Sequence, residues 1–106
     1  MWNYAHKVDA DLLLNSSTTT LIFKHSNRCI ISSMALQRVL TQQENIDSKA
    51  NVLLLDVVAN RNVSLQLADD LDVEHASPQV IIVKDGKVVY TSSHINIRPT
   101  SILSHL

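Results

Sequence analysis

Three short, unbroken apolar runs punctuate an otherwise mixed chain: Leu21-Ile22-Phe23, Val52-Leu53-Leu54-Leu55 and Val80-Ile81-Ile82-Val83. Runs of this length without polar alternation suit strands covered on both faces, as in parallel sheets flanked by helices. Between them the period changes. From about Ile30 to Thr41, Ile31, Met34, Ala35 and Val39 form one stripe, widened by Leu36 and Leu40, while Ser33, Gln37, Arg38 and Gln42 face away. That spacing predicts a helix. After Asn62, read as an N-cap, Val63, Leu67, Ala68 and Leu71 recur at near-helical spacing and predict another. Asp85-Gly86, between the third run and Val88-Val89-Tyr90, is the strongest hairpin signal in the chain. The tail from Asn96 reads as a short helix, with Pro99 near its first turn and Ile102, Leu103 and Leu106 on its apolar side.

The polar run from Asn15 to Thr20 is a connection rather than a boundary, a helix precedes it, and no element is assigned before Val8. The order is therefore helix, strand, helix, strand, helix, strand, hairpin, strand, helix. The first two core strands should be parallel and joined by a right-handed helical crossover. The last two should be antiparallel through their tight turn. This is an α/β domain over residues 1–106, with a mixed, roughly four-stranded sheet and helices on both faces.

Composition removes several function classes. The 106 residues are 45% apolar and 18% charged, which suits a folded globular domain rather than a disordered one. A net charge of -1 gives no electrostatic case for nucleic acid or an anionic membrane. No apolar run approaches bilayer-spanning length, and the opening Met-Trp-Asn-Tyr-Ala-His-Lys lacks a secretory pattern, so a cytoplasmic location is expected. The single glycine, Gly86, excludes a glycine-rich phosphate loop. The five histidines show no helical i, i+4 pair, so no metal is expected.

The single cysteine, Cys29, excludes an internal disulfide framework, a cysteine-based zinc cluster and an intramolecular dithiol cycle. It falls where a strand ends and a helix begins. Unpaired N–H groups and the positive end of the helix dipole favour an anion there, and thiols in such places ionise more readily than free cysteine. Arg28 is adjacent, with Lys24 and His25 shortly upstream, and these cations should favour the thiolate. Ser32, three residues on, stands where a second thiol would stand in a Cys-X-X-Cys pair, and its hydroxyl can donate to sulfur. Against this, a lone cysteine is more often a small buried hydrophobe than a nucleophile. Ser77-Pro78 opens the third strand, where a proline need not donate to the ladder; the residues leave its isomer open.

Taken in order, these segments resemble the monothiol bacilliredoxins of the thioredoxin superfamily. The resemblance rests on Phe23-Lys24-His25-Ser26 before Arg28-Cys29-Ile30-Ile31-Ser32, then Asp56-Val57-Val58-Ala59-Asn60-Arg61. It continues through Val73-Glu74-His75-Ala76-Ser77-Pro78-Gln79, Asp85-Gly86-Lys87-Val88-Val89 and Ser93-His94-Ile95-Asn96-Ile97. It implies a thioredoxin-like fold with Ser77-Pro78 cis and packed opposite Cys29. It also implies removal of bacillithiol from S-bacillithiolated client proteins, with bacillithiol as co-substrate. Cys29 would be the nucleophile, Arg28, Ser32 and Lys24 would stabilise its thiolate, and Ser77, Pro78 and His94 would hold substrate. Two departures stand out: the family's Cys-Pro-Ile-Ser is here Cys29-Ile30-Ile31-Ser32, and its usual Trp near the chain end is Ile95.

Two other classes compete. A monothiol glutaredoxin-like protein can hold an iron–sulfur cluster across a dimer, but Ile30-Ile31 replaces the small Gly-Phe pair expected after such a cysteine. A non-enzymatic thioredoxin-like interaction module would leave Cys29 slow to alkylate at pH 6.

Overall fold

The computed structural model describes residues 1–106. A five-stranded sheet carries the elements in the order β1-β3-β2-β4-β5. Along the chain these are β1 (Tyr4–Ala5), α1 (Ala10–Leu14), β2 (Thr19–His25), α2 (Ile30–Leu40), α3 (Gln43–Asp47), β3 (Asn51–Asp56), α4 (Arg61–Asp70), β4 (Gln79–Lys84), β5 (Lys87–Ser93), a 3-10 turn (His94–Asn96) and α5 (Pro99–His105). β1, β3 and β2 run parallel, and β4 and β5 are antiparallel to their neighbours, so Phe23 of β2 lies between Leu54 and Val80.

The sheet has one strand more than the apolar runs suggest. β1 is only two residues long and is pinned by Trp2, a buried ring whose indole N–H donates to Asp47 of α3 at 2.6 Å. Hydrophobic periodicity cannot register a strand that short. α3, at five residues, escapes for the same reason.

Side chains alternate across the strands and build two cores. On one face Leu21, Phe23, Leu54, Val80 and Ile82 pack with Ala35, Leu36 and Val39 of α2, Ile46 of α3 and Ile102 of α5. On the other, Ile22, Leu55, Ile81 and Val83 pack with Ala10 of α1, Leu67 of α4 and its C-cap Leu71. The predicted α2 stripe is rotated: Ser32, Ala35, Leu36 and Val39 are buried, while Ile30, Ile31 and Met34 lie exposed. Arg38 does not face away, for its guanidinium donates to the Ile97 and His94 carbonyls and ties the 3-10 turn to α2. α4 starts earlier than its apolar spacing suggests, with Asn60 rather than Asn62 at the cap position.

Asp85 and Gly86 both have positive φ, at 51° and 76°, as a two-residue hairpin turn between β4 and β5 requires. Gly86 is constrained twice, because a Cβ there would meet the Leu14 carbonyl oxygen at 2.5 Å. No helix is long and apolar enough to cross a membrane.

Candidate functional site

The neighbouring parallel strands β2 and β3 send the chain to opposite faces of the sheet. β2 leads into α2 on one face, while β3 leads into α4 on the other. Where neighbouring strands send their chains to opposite sides, a crevice opens at their carboxyl ends, and ligands of open α/β sheets bind there. Here that crevice is a cleft of about 380 Å³, and Cys29 lines it together with Ser26, Val57 and Val58. Arg61, Ser64, His75 and Ser77 complete the wall.

Cys29 is the N-cap residue of α2, with extended backbone (φ -116°, ψ 120°), and is half-buried. Its side chain makes no capping hydrogen bond, so the first helical N–H groups are not satisfied by sulfur as a conventional cap would do. The Ser33 N–H already bonds the Cys29 carbonyl at 3.0 Å, which closes the first turn. The sulfur thus belongs to a helix terminus and to a solvent-open cleft at once.

The remaining residues singled out in the sequence are distributed unevenly. Ser77 shares the cleft with Cys29, and the Ser77–Pro78 peptide is cis. Pro78 is buried, and its carbonyl accepts the His94 N–H at 3.2 Å. The His94 side chain does not line the cleft. It borders a neighbouring depression that also contains Glu74 and Asn96, and only His75 reaches both. Arg28 is exposed and outside the cleft wall, and its only side-chain-mediated bond is its N–H to Ser26 Oγ, at 3.4 Å.

Ser32 is fully buried, and its hydroxyl is occupied elsewhere than at sulfur. It accepts the Ser26 N–H at 2.9 Å and lies 2.7 Å from His25 Nδ1. This links the end of β2 to the first turn of α2 and fixes the elbow on which Cys29 sits. Burial pushes the His25 pKa below its ordinary value, with the Asp56 carboxylate pulling the other way.

Lys24 alternates with Phe23 and so faces the α4 side of the sheet. It is fully buried there, its ammonium donating to the Ser64 carbonyl at 3.0 Å and to His75 Nδ1 at 3.3 Å. Without a carboxylate partner, desolvation pushes its pKa down from 10.5 to about 8. His75 is held below its ordinary pKa by burial first, then by Lys24 and Arg61. Lys24 therefore stands behind the cleft wall, one residue removed from its surface.

Arg61, Ser64 and His75 carry no role in the sequence reading. The signal that could have found them is topological. Arg61 opens the helix after β3 as Cys29 caps the helix after β2, and the switch-point rule brings those two helix starts together. No group of three or more His, Cys, Asp or Glu side chains gathers in a way that could hold a metal ion.

Known structures share this architecture. A candidate oxidoreductase with a thioredoxin fold superposes with a TM-score of 0.73 at 23% identity, covering 90% of this chain and 83% of its own. Fasciola hepatica thioredoxin gives 0.65 at 20% identity, with coverage of 90% and 88%. Malassezia sympodialis thioredoxin gives 0.67 at 16%, with coverage of 96% and 88%. At these identities the likeness establishes the thioredoxin fold alone. The family is fixed by a separate match, since residues 5–102 fit the family described as monothiol bacilliredoxin BrxC. With its one cysteine at the head of α2 and a cis Ser77–Pro78 whose serine lines the same cleft, this chain belongs to the monothiol bacilliredoxins of the thioredoxin fold.

Proposed function

We propose that the protein is a thiol–disulfide oxidoreductase that removes bacillithiol from S-bacillithiolated client proteins in the cytoplasm, with Cys29 as its nucleophile. The observation that carries this reading is the position of Cys29: the only sulfhydryl in the chain, half-exposed at a helix N-terminus and lining an open cleft that Ser77 also lines. A helix terminus favours negative charge, and the thiolate is the attacking species in disulfide exchange.

The Cys29 thiolate attacks the bacillithiol sulfur of the mixed disulfide. The new bond joins Cys29 to bacillithiol, the old sulfur–sulfur bond breaks, and the client leaves as a thiolate that takes up a proton. No second cysteine can resolve the adduct, so a second bacillithiol attacks it, restoring the Cys29 thiolate and releasing bacillithiol disulfide. Ser77 lines the same cleft as Cys29, where its backbone can meet the disulfide-bearing segment. Lys24 supplies positive charge from behind the wall, and Ser32 holds the elbow through Ser26 and His25.

The test is to incubate the protein with a bacillithiolated client and weigh both partners. The expected result is a bacillithiol adduct on Cys29 with the client thiol freed. Loss of bacillithiol from the client with no adduct on Cys29, or no transfer at all, defeats the reading.

A further inference from the structure

We infer that the wall of the Cys29 cleft formed by Arg61, His75, Ser64 and Ser77 is a carboxylate-binding subsite, which selects acidic low-molecular-weight thiols as the group Cys29 accepts. This rests on the exchange reading above and names the feature of the thiol that is recognised.

Three observations converge. No acidic side chain lines the cleft, while Arg61 lines it with no ion pair or side-chain hydrogen bond of its own, its charge near His75. Second, His75 accepts from Lys24 through Nδ1, so the proton of its neutral ring sits on Nε2 and the ring presents a donor. Third, Ser64 is fully buried and Ser77 half-buried, yet the hydroxyl oxygen of each lacks any hydrogen-bond partner. Buried hydroxyls left unpaired are uncommon because each costs free energy, and both of these belong to residues of one cleft wall. Guanidinium, imidazole N–H and two hydroxyls make a set of donors without a protein acceptor. A planar, anionic acceptor of two or more hydrogen bonds fits that set, and a carboxylate is such a group. Lys24, buried behind and already bonded to His75 and to the Ser64 carbonyl, adds positive charge without occupying the space.

The experiment measures second-order rates of Cys29 with three small disulfides, those of mercaptopropionate (anionic), mercaptoethanol (neutral) and cysteamine (cationic). Each rate is compared between the native protein, Arg61→Gln, Ser64→Ala and the remote control Lys87→Ala. The comparison of variants cancels the intrinsic reactivity of each disulfide. The expected result is that Arg61→Gln lowers the anionic-to-cationic rate ratio roughly tenfold, the scale of one charge-assisted hydrogen-bonded pair. Ser64→Ala lowers it less and leaves thermal stability equal or slightly raised, because the hydroxyl supports no contact within the fold. Lys87→Ala leaves the ratio unchanged. Ready reaction with all three disulfides at a ratio that Arg61→Gln does not alter overturns the subsite and leaves the exchange chemistry standing. Failure of Cys29 to react with any of them overturns both.

Discussion

Ser32 Oγ and His25 Nδ1 stand 2.7 Å apart inside the fold, and the same oxygen accepts the Ser26 N–H at 2.9 Å. A hydroxyl has one proton, and a neutral imidazole accepting at Nδ1 takes it. In the Cys-X-X-Ser pattern Ser32 therefore acts as a buried brace between strand and helix. Ser32→Ala leaves a backbone N–H and a buried ring nitrogen without partners, which costs about 1–3 kcal/mol. Urea denaturation should show that loss. Alkylation of Cys29 at pH 6, measured on the folded variant, should change less than twofold, a threshold of roughly a few tenths of a kcal/mol. A large drop in alkylation with little change in stability would return the hydroxyl to the sulfur.

Lys24 makes stability depend on alkaline pH. Its folded pKa of about 8 lies below the 10.5 of the exposed group. Below pH 8 both states hold the proton and the folded state bears the whole cost of burying it. Between about 8 and 10.5 the unfolded chain still binds a proton that the folded chain has released, so stability rises with pH in that window. The full effect is on the order of 3 kcal/mol. Lys24→Met removes both the cost and the window. The variant should be more stable than the native protein at pH 7, offset in part by the lost bonds to Ser64 and His75, and the difference should shrink as pH approaches 10.5. Paired denaturation curves across pH 7–10.5 check the sign, and a variant less stable at pH 7 would contradict it.

The apolar runs Leu21–Phe23, Val52–Leu55 and Val80–Val83 were legible as strands because each is buried on both faces by two different cores. The Asp85-Gly86 turn was legible because its positive φ values admit few residue types. β1 was not, since two residues have no period and its place depends on Trp2 reaching Asp47, a contact 45 residues distant. The α2 face was misjudged because Ile31 and Met34 are apolar yet exposed, while the buried stripe begins at the polar Ser32. At the site, Cys29 followed from local pattern, and Ser77 from the family resemblance. Arg61 and Ser64 did not, because only the divergence of the chain after β2 and β3 brings the start of α4 against the start of α2. Arg28, adjacent in sequence to Cys29, is exposed and is not part of the cleft lining to which Arg61 belongs.

The Ile30 that replaces the family's proline offers the last test, because the backbone around it is ready for the reversal. Ile30 is the first residue of α2 and its side chain is 75% exposed, so little packing is lost on removing it. The residue before a proline must be extended, and Cys29 at φ -116° and ψ 120° already is. First-turn proline also lacks only an N–H that the helix does not use. Ile30→Pro should therefore fold with stability unchanged or raised by about 0.4–1 kcal/mol, through a less flexible unfolded chain. The substitution nevertheless deletes one of the free amides at the helix terminus beside sulfur, and with it part of the attraction for negative charge. Alkylation of Cys29 at pH 7 should consequently slow relative to the native protein. An unchanged rate would mean that the Ile30 amide does not help to hold the thiolate.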